Sequence, residues 1–178
     1  TGVAVDGNIV LTFSKAVDLE SGNITLKKSS DNSSVESIDV TSGLVTGTGT
    51  TTITINPTDD LASLTGYYLN IDATAFDDSC SNSYAGISDA TTLNFTSADV
   101  DAPTLSSSTP SDDETGVAVD TNIVLTFDES VDVESGNIAL YKASNNLIST
   151  VESIDVTSSL VTGTGTGTGT TTITINPT

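Results

Sequence analysis

Asn8-Ile9-Val10-Leu11-Thr12-Phe13 returns unchanged as Asn122 to Phe127, and Thr51-Thr52-Ile53-Thr54-Ile55-Asn56-Pro57-Thr58 returns unchanged as Thr171 to Thr178. Ile9, Leu11 and Phe13 fall on one face of the first stretch, and Ile53 and Ile55 share a face of the second. A period of two is the mark of a half-buried β-strand. Asn56-Pro57 ends the second run, because proline cannot donate to a ladder.

These strands are the ends of a larger repeat. Thr1 to Asp6 reappears as Thr115 to Asp120, and residues 1–58 match 115–178 at 47 of 58 aligned positions. The second copy carries two insertions, Leu147-Ile148 and Gly167 to Thr170. An offset of 114 positions is too long for a solenoid repeat and suits a whole small domain. Residues 59–114 occur once, so the chain reads as about one and a half such domains, a stretch of a longer tandem array.

Between the quoted strands the pattern continues. Ile24 and Leu26 mark a strand, Asp31 to Ser34 a turn, and Val35 to Val40 another extended run. Ser14 to Gly22 reads as a polar connection. Gly43 to Gly49 reads as a loop, a reading that its expansion at Gly163 to Gly169 supports, since loops tolerate insertion. Tyr67, Leu69 and Ile71 share a face, Ala75 to Asp89 reads as a long polar loop, and Leu93 with Phe95 carries the last strand of the unit. No helical stripe exceeds two turns. Thr-rich, β-branched composition agrees. Seven short strands with turn-punctuated spacing predict an all-β fold of antiparallel β-sandwich modules in tandem.

Charge narrows the function. The chain has 24 acids, 4 Lys or Arg and a formal net charge of −20. Residues 59–114 hold eleven of the acids and no base. Such a surface repels nucleic acid and anionic lipid, and no apolar run approaches a membrane span. It suits divalent cations or a salty medium. His is absent, so no Ser-His or Cys-His pair can form. Carboxylate pairs could serve glycoside hydrolysis, but acids this abundant single out no pair, and the reading is that the chain is not an enzyme. Cys80 stands alone, which excludes an internal disulfide framework.

Pro110-Ser111-Asp112, Gly116-Val117-Ala118-Val119-Asp120, Ile123 to Phe127, Gly136-Asn137-Ile138, Thr172 to Ile175 and Leu64-Thr65-Gly66-Tyr67-Tyr68 together resemble the bacterial Ig-like domains of S-layer proteins and large surface adhesins. The resemblance covers essentially the whole chain. It implies an extracellular or cell-surface setting and a first domain at 1–97 lacking its first strand. It further implies an acidic, Pro-containing linker at 98–103, and a second domain at 104–178 that stops before its last two strands. The missing first strand is the counterpart of Thr104 to Ser108. Asp78-Ser79-Cys80-Ser81-Asn82 is similar to that family's Asp-x-x-Gly-Asn loop with Ser81 in place of Gly, a departure that argues against the same tight conformation.

The acids near the linker are the candidate site. Asp59 and Asp60 follow Ile55, Asp99 and Asp101 lie in the linker itself, and Asp132 and Glu134 belong with Asp128 and Glu129 in the loop expected after Phe127. Calcium takes six to eight oxygens, largely carboxylate and carbonyl, so these residues are the candidate calcium ligands. The alternative reading of the same acids is a solvated acidic surface. Asp77, Asp78 and Asp89 form a second acidic group. Asp18 to Asn23 and Asp132 to Asn137 miss the EF-hand spacing and read as turns. Two functions fit: a structural spacer, lattice or filament module whose partners are neighbouring repeats or other copies, or an adhesive module recognising a glycan or protein through a polar loop such as Ala75 to Asp89.

Overall fold

The alternation at the repeat ends resolves into neighbouring antiparallel strands in a computed structural model, which describes residues 2–144, 147–163 and 170–178. Two units divide the chain, residues 1–101 and 102–178. Every regular element among the described residues is a β-strand. The fold is all-β, and the strands named below pair antiparallel within each unit.

Unit 1 contains β1 (Ile9–Leu19), β2 (Asn23–Lys28), β3 (Ser34–Asp39), β4 (Val45–Thr46), β5 (Thr50–Ile55), β6 (Gly66–Ile71), β7 (Phe76–Asp77) and β8 (Asn94–Thr96). One sheet has the order β4-β5-β1-β7 and the other β3-β2-β6-β8. Ile9 lies opposite Ile55 and Leu11 opposite Ile53, so the apolar faces of β1 and β5 point the same way. In the second sheet Ile24 lies opposite Ile71 and Leu26 opposite Leu69. Ile24, Leu26, Ile53, Ile55, Tyr67, Leu69 and Ile71 are buried together, with Ile9, Leu11, Phe13, Leu93 and Phe95 packed half-buried against them. Burying one such side chain contributes roughly 1.5–3 kcal/mol, so this shared cluster is the principal attraction between the sheets.

Three stretches differ from the sequence reading. Ser14 to Gly22 is not a connection as far as Leu19: β1 runs on, slips register between Thr12 and Val17, and pairs Asp18 and Leu19 with β7. Burial of Val17 explains the continuation. The Ala75 to Asp89 stretch is anchored by aromatic packing. Phe76 is fully buried, and its ring meets Phe13 edge-on at 5.2 Å between centroids, while Tyr84 meets Phe13 at 5.4 Å. Gly43 to Gly49 contains β4, with Val45 in the core. Gly47 closes the turn beyond it at φ 106°, where an added Cβ would lie 2.1 Å from the Thr52 carbonyl oxygen. Only glycine fits such an approach.

Unit 2 contains β9 (Leu105–Thr109), β10 (Ile123–Val131), β11 (Asn137–Ser144), β12 (Leu147–Asp155), β13 (Val161–Thr162) and β14 (Thr170–Ile175). One sheet has the order β13-β14-β10-β9, and β11 and β12 form a hairpin. The repeated sequence makes repeated geometry: Ile123 lies opposite Ile175 and Leu125 opposite Ile173, and Gly163 makes the same close approach to the Thr172 oxygen. Asp128 and Glu129 lie within β10 rather than in a loop after Phe127. Asp128 accepts the Thr104 N–H at 2.8 Å and the Thr104 hydroxyl, tying the entry of β9 to β10. The Gly163 to Gly169 expansion lies, from residue 164 onward, outside the described residues.

Candidate functional site

Asp59 and Asp60 sit on an exposed bend after β5, just before Leu61, whose buried side chain and N–H bond to the Val5 carbonyl (2.8 Å) fix the path of the chain. The chain then passes Ser63 and meets the end of the unit. Leu64 N–H donates to the Ala98 carbonyl, Val100 N–H donates to Ser63 Oγ at 3.0 Å, and Ser63 Oγ in turn donates to Asp99 Oδ1 at 3.2 Å. Asp99 also accepts the Asp101 N–H at 3.2 Å. Beneath this lies Ser97, a buried polar residue whose hydroxyl donates to the Ala62 carbonyl at 2.6 Å and accepts the Thr65 N–H at 2.9 Å. The 97–101 strip is thus tied by its backbone to the 62–65 turn. Asp99 and Asp101 keep their carboxylates exposed on a fixed backbone.

Asp132 and Glu134 belong to unit 2, exposed on the stretch after β10. Val133 between them packs against the core of that unit, which turns the two acids outward. Within either unit, among the described residues, no three Asp, Glu or Cys side chains converge as a metal-binding group. Asp59 and Asp60 precede the 62–65 turn and Asp99 and Asp101 lie on the strip bonded to it, all four exposed and none forming a converging group of three among the described residues.

Many of the remaining acids organise backbone. Asp39 accepts the N–H and hydroxyl of Thr41 at 2.8 and 2.7 Å, and Asp155 does the same for Thr157. Asp31 serves Ser33 in the same manner, and Asp89 receives the N–H and hydroxyl groups of both Thr91 and Thr92. Hydrogen bonds from these Ser and Thr side chains, then from their N–H groups, hold all four carboxyls below the usual carboxylate range. Asp-x-Ser/Thr is a turn signal with a known mechanism, legible at all four places.

Asp78 has a different role. Lys15 donates to its Oδ2 at 2.7 Å, and the N–H groups of Cys80 and Asn82 converge on Oδ1 at 2.9 Å. These donors, Lys15 foremost, hold the Asp78 carboxyl far below its ordinary range, and Asp78 raises the Lys15 ammonium. The loop is tight after all: Ser81 takes the left-handed conformation at φ 60°. Asp78, Asp77 and Asp89 consequently do not act as one group of free acids. Cys80 is an exposed free thiol.

In the Asp18 to Asn23 stretch, Asp18 and Leu19 end β1 and Asn23 opens β2, so only Glu20 to Gly22 forms the connection that the sequence reading extended over the whole stretch. Gly22 passes at φ 123° against Asp72, whose Oδ2 accepts the Asn23 N–H at 2.8 Å. Among the described residues no helix is long and apolar enough to cross a membrane.

A family model of the bacterial Ig-like domain matches residues 1–97 and again 99–178. No curated protein and no solved structure matches the chain.

Proposed function

The chain belongs to the bacterial Ig-like domain family, and on that premise we propose that it is a structural segment of a large surface or extracellular protein, serving as a spacer or as a lattice or filament module. Domains of this family are generally not enzymes and typically occur in surface or extracellular proteins. One observation carries the spacer reading: away from the turns that hold the Leu147-Ile148 and Gly167 to Thr170 insertions, the two units repeat exposed side-chain bonds as well as strands. Thr58 N–H and hydroxyl reach the Glu36 carboxylate at 3.0 and 2.6 Å, and Thr178 reaches Glu152 by the same pair of bonds at 3.0 and 2.8 Å. The Asp39–Thr41 turn recurs as Asp155–Thr157 at equal distances. A recognition surface needs loops fitted to a ligand, whereas a spacer needs each module to resemble the last.

The proposal extends to calcium. Asp99 and Asp101, with Asp59 and Asp60, present hard oxygen donors of the kind that calcium takes, and Asp132 with Glu134 offers a second such pair. Here calcium would stiffen the array rather than create its fold, since each unit already has its own apolar cluster. Immobilised chain screened against glycans and surface proteins tests the spacer reading. The expected result is no saturable binding; a saturable ligand whose binding is lost on changing the 75–89 stretch would establish an adhesive module instead.

A further inference from the structure

The two ends of unit 1 lie side by side and run the same way. Val3 and Ser97 form a parallel bridge, in which the Val3 N–H donates to the Thr96 carbonyl at 2.9 Å and the Ala98 N–H donates to the Val3 carbonyl at 2.6 Å. The strand pairs of the two sheets in this unit are antiparallel, so the bridge stands apart from them. The approach is close. A Cβ on Gly2 would collide with the Ser97 carbonyl and the Ala98 nitrogen, so the absence of a side chain at Gly2 lets the two backbones meet.

Both stretches are also tied to the same piece of chain. Leu61 N–H donates to the Val5 carbonyl at 2.8 Å, Leu64 N–H to the Ala98 carbonyl at 3.1 Å, and Ser97 N–H to the Thr65 carbonyl at 3.0 Å. Leu61 and Ser97 are buried, and Val5 packs half-buried against the core. The bonds around Ser97 are therefore made where water competes poorly. The repeat shows that the entry sequence alone does not make this arrangement. Thr115 to Asp120 copies Thr1 to Asp6, yet Val119, the copy of Val5, is fully exposed. Among the described residues no strand or bridge pairing includes Val117, the copy of Val3.

Chain direction decides how such a contact bears a pull. A load applied between residue 1 and residue 102 draws residues 2–5 and residues 96–98 in opposite senses along one axis, because the pair is parallel. Ladder hydrogen bonds lie across the strands, so this pull shears the bonds and loads them together. An antiparallel pair pulled from the same two ends would open from one side, bond by bond. We propose that the Val3–Ser97 bridge, backed by Leu61 and the 62–65 turn, is a shear clamp that sets the force at which unit 1 opens under tension along the chain. That tension reaches the module at all rests on the spacer reading; the clamp itself is a property of unit 1.

The test pulls single 178-residue chains, with Cys80→Ser so that the handles attach only where intended. In one set the handles are on Thr1→Cys and Ala102→Cys. In the other they are on Ser30→Cys and Ser88→Cys, two exposed positions whose loaded segment excludes residues 2–5 and 96–98. Val3→Pro deletes the N–H that bonds Thr96, one of the two bridge bonds, and should lower the unfolding force in the first set by about half while leaving the second set unchanged. No loss in the first set would overturn the proposal, and so would an equal loss in both, which would make Val3 a matter of general stability. If Val3→Pro does not fold, the loading-rate dependence of the otherwise unaltered chain decides. A clamp breaks over a distance on the order of 3 Å, one hydrogen-bond length. A distance of about 10 Å or more in the first set, several residues of strand peeled in succession, would overturn it. These forces are read on one module, so their failure leaves the spacer reading standing, and failure of the spacer reading leaves these forces unchanged.

Discussion

Lys15 Nζ lies 2.7 Å from Asp78 Oδ2, joining the irregular middle of β1 to the loop that follows β7. The two partners are unequal. The Lys15 side chain is 64% exposed and that of Asp78 only 9%, and Asp78 also gathers the Cys80 and Asn82 N–H groups. An exposed ion pair contributes little on its own, whereas withdrawing an acceptor strands its donors. Asp78→Ala should therefore lower the melting temperature more than Lys15→Ala does. The double variant should match Asp78→Ala, as a thermal-melt cycle would show.

The six depressed carboxyls fix the sign of an acid response. Asp31, Asp39, Asp78, Asp89, Asp128 and Asp155 all lie below their ordinary value, each through hydrogen bonds made in the folded state. The stability they contribute is fully present above the unfolded carboxylate pKa, about 3.9. It is lost as pH falls below that toward the folded values. The expected outcome, in high salt to screen the self-repulsion of a chain at −20, is a urea midpoint that is level from pH 8 to 5 and falls below pH 4. A midpoint that rises below pH 4 would contradict it. Lys15 acts in the opposite range: its ammonium is raised by Asp78, so its contribution is present below its ordinary pKa and is lost at still higher pH.

Ser81 bears a backbone conformation that glycine would adopt without strain. A non-glycine residue in the left-handed region costs roughly 1–2 kcal/mol, while glycine costs about 0.5–1 kcal/mol through the unfolded chain. The difference favours glycine. Ser81→Gly should stabilise unit 1 by about 0.5–1 kcal/mol in urea denaturation, provided the Asp78 bonds to Cys80 and Asn82 persist. A loss of stability would mean that the Ser81 side chain supports the loop.

The strands of the core were plain in the sequence because alternation reports a sheet with one buried face. All of Ile9, Leu11, Phe13, Ile53 and Ile55 lie on the inner face that the pattern assigns them. What alternation could not report is a strand two residues long. Phe76 and Asp77 stand in a polar stretch of sequence, and the pairing of β7 with Asp18 and Leu19, together with the burial of Phe76 against Phe13, gives that stretch its structure. Likewise the register slip within β1 leaves Ser14, Lys15 and Ala16 exposed, so a continuing strand looks like a polar connection. The acids were legible as to place but not as to work. The Asp-x-Ser/Thr spacing marks Asp31, Asp39, Asp89 and Asp155 as turn organisers, whereas the bonds of Asp78 to Lys15 and of Asp128 to Thr104 join residues far apart in the chain.

Calcium removal supplies a further prediction. If Asp99 and Asp101 hold the ion with their neighbours, chelation should make the 178-residue chain more variable in its dimensions without unfolding either unit. Asp101→Asn should reproduce the change in the presence of calcium. Small-angle scattering and circular dichroism together check both halves. Scattering that responds to neither chelator nor substitution would leave these residues as a solvated acidic surface.

The spacer account is tested most directly by how length grows with repeat number. Concatemers of two, four and six copies of residues 1–114, measured by small-angle scattering in calcium-containing buffer, should gain maximum dimension by a constant increment per copy. A dimension that levels off as copies are added, with the modules collapsing onto one another, would contradict it.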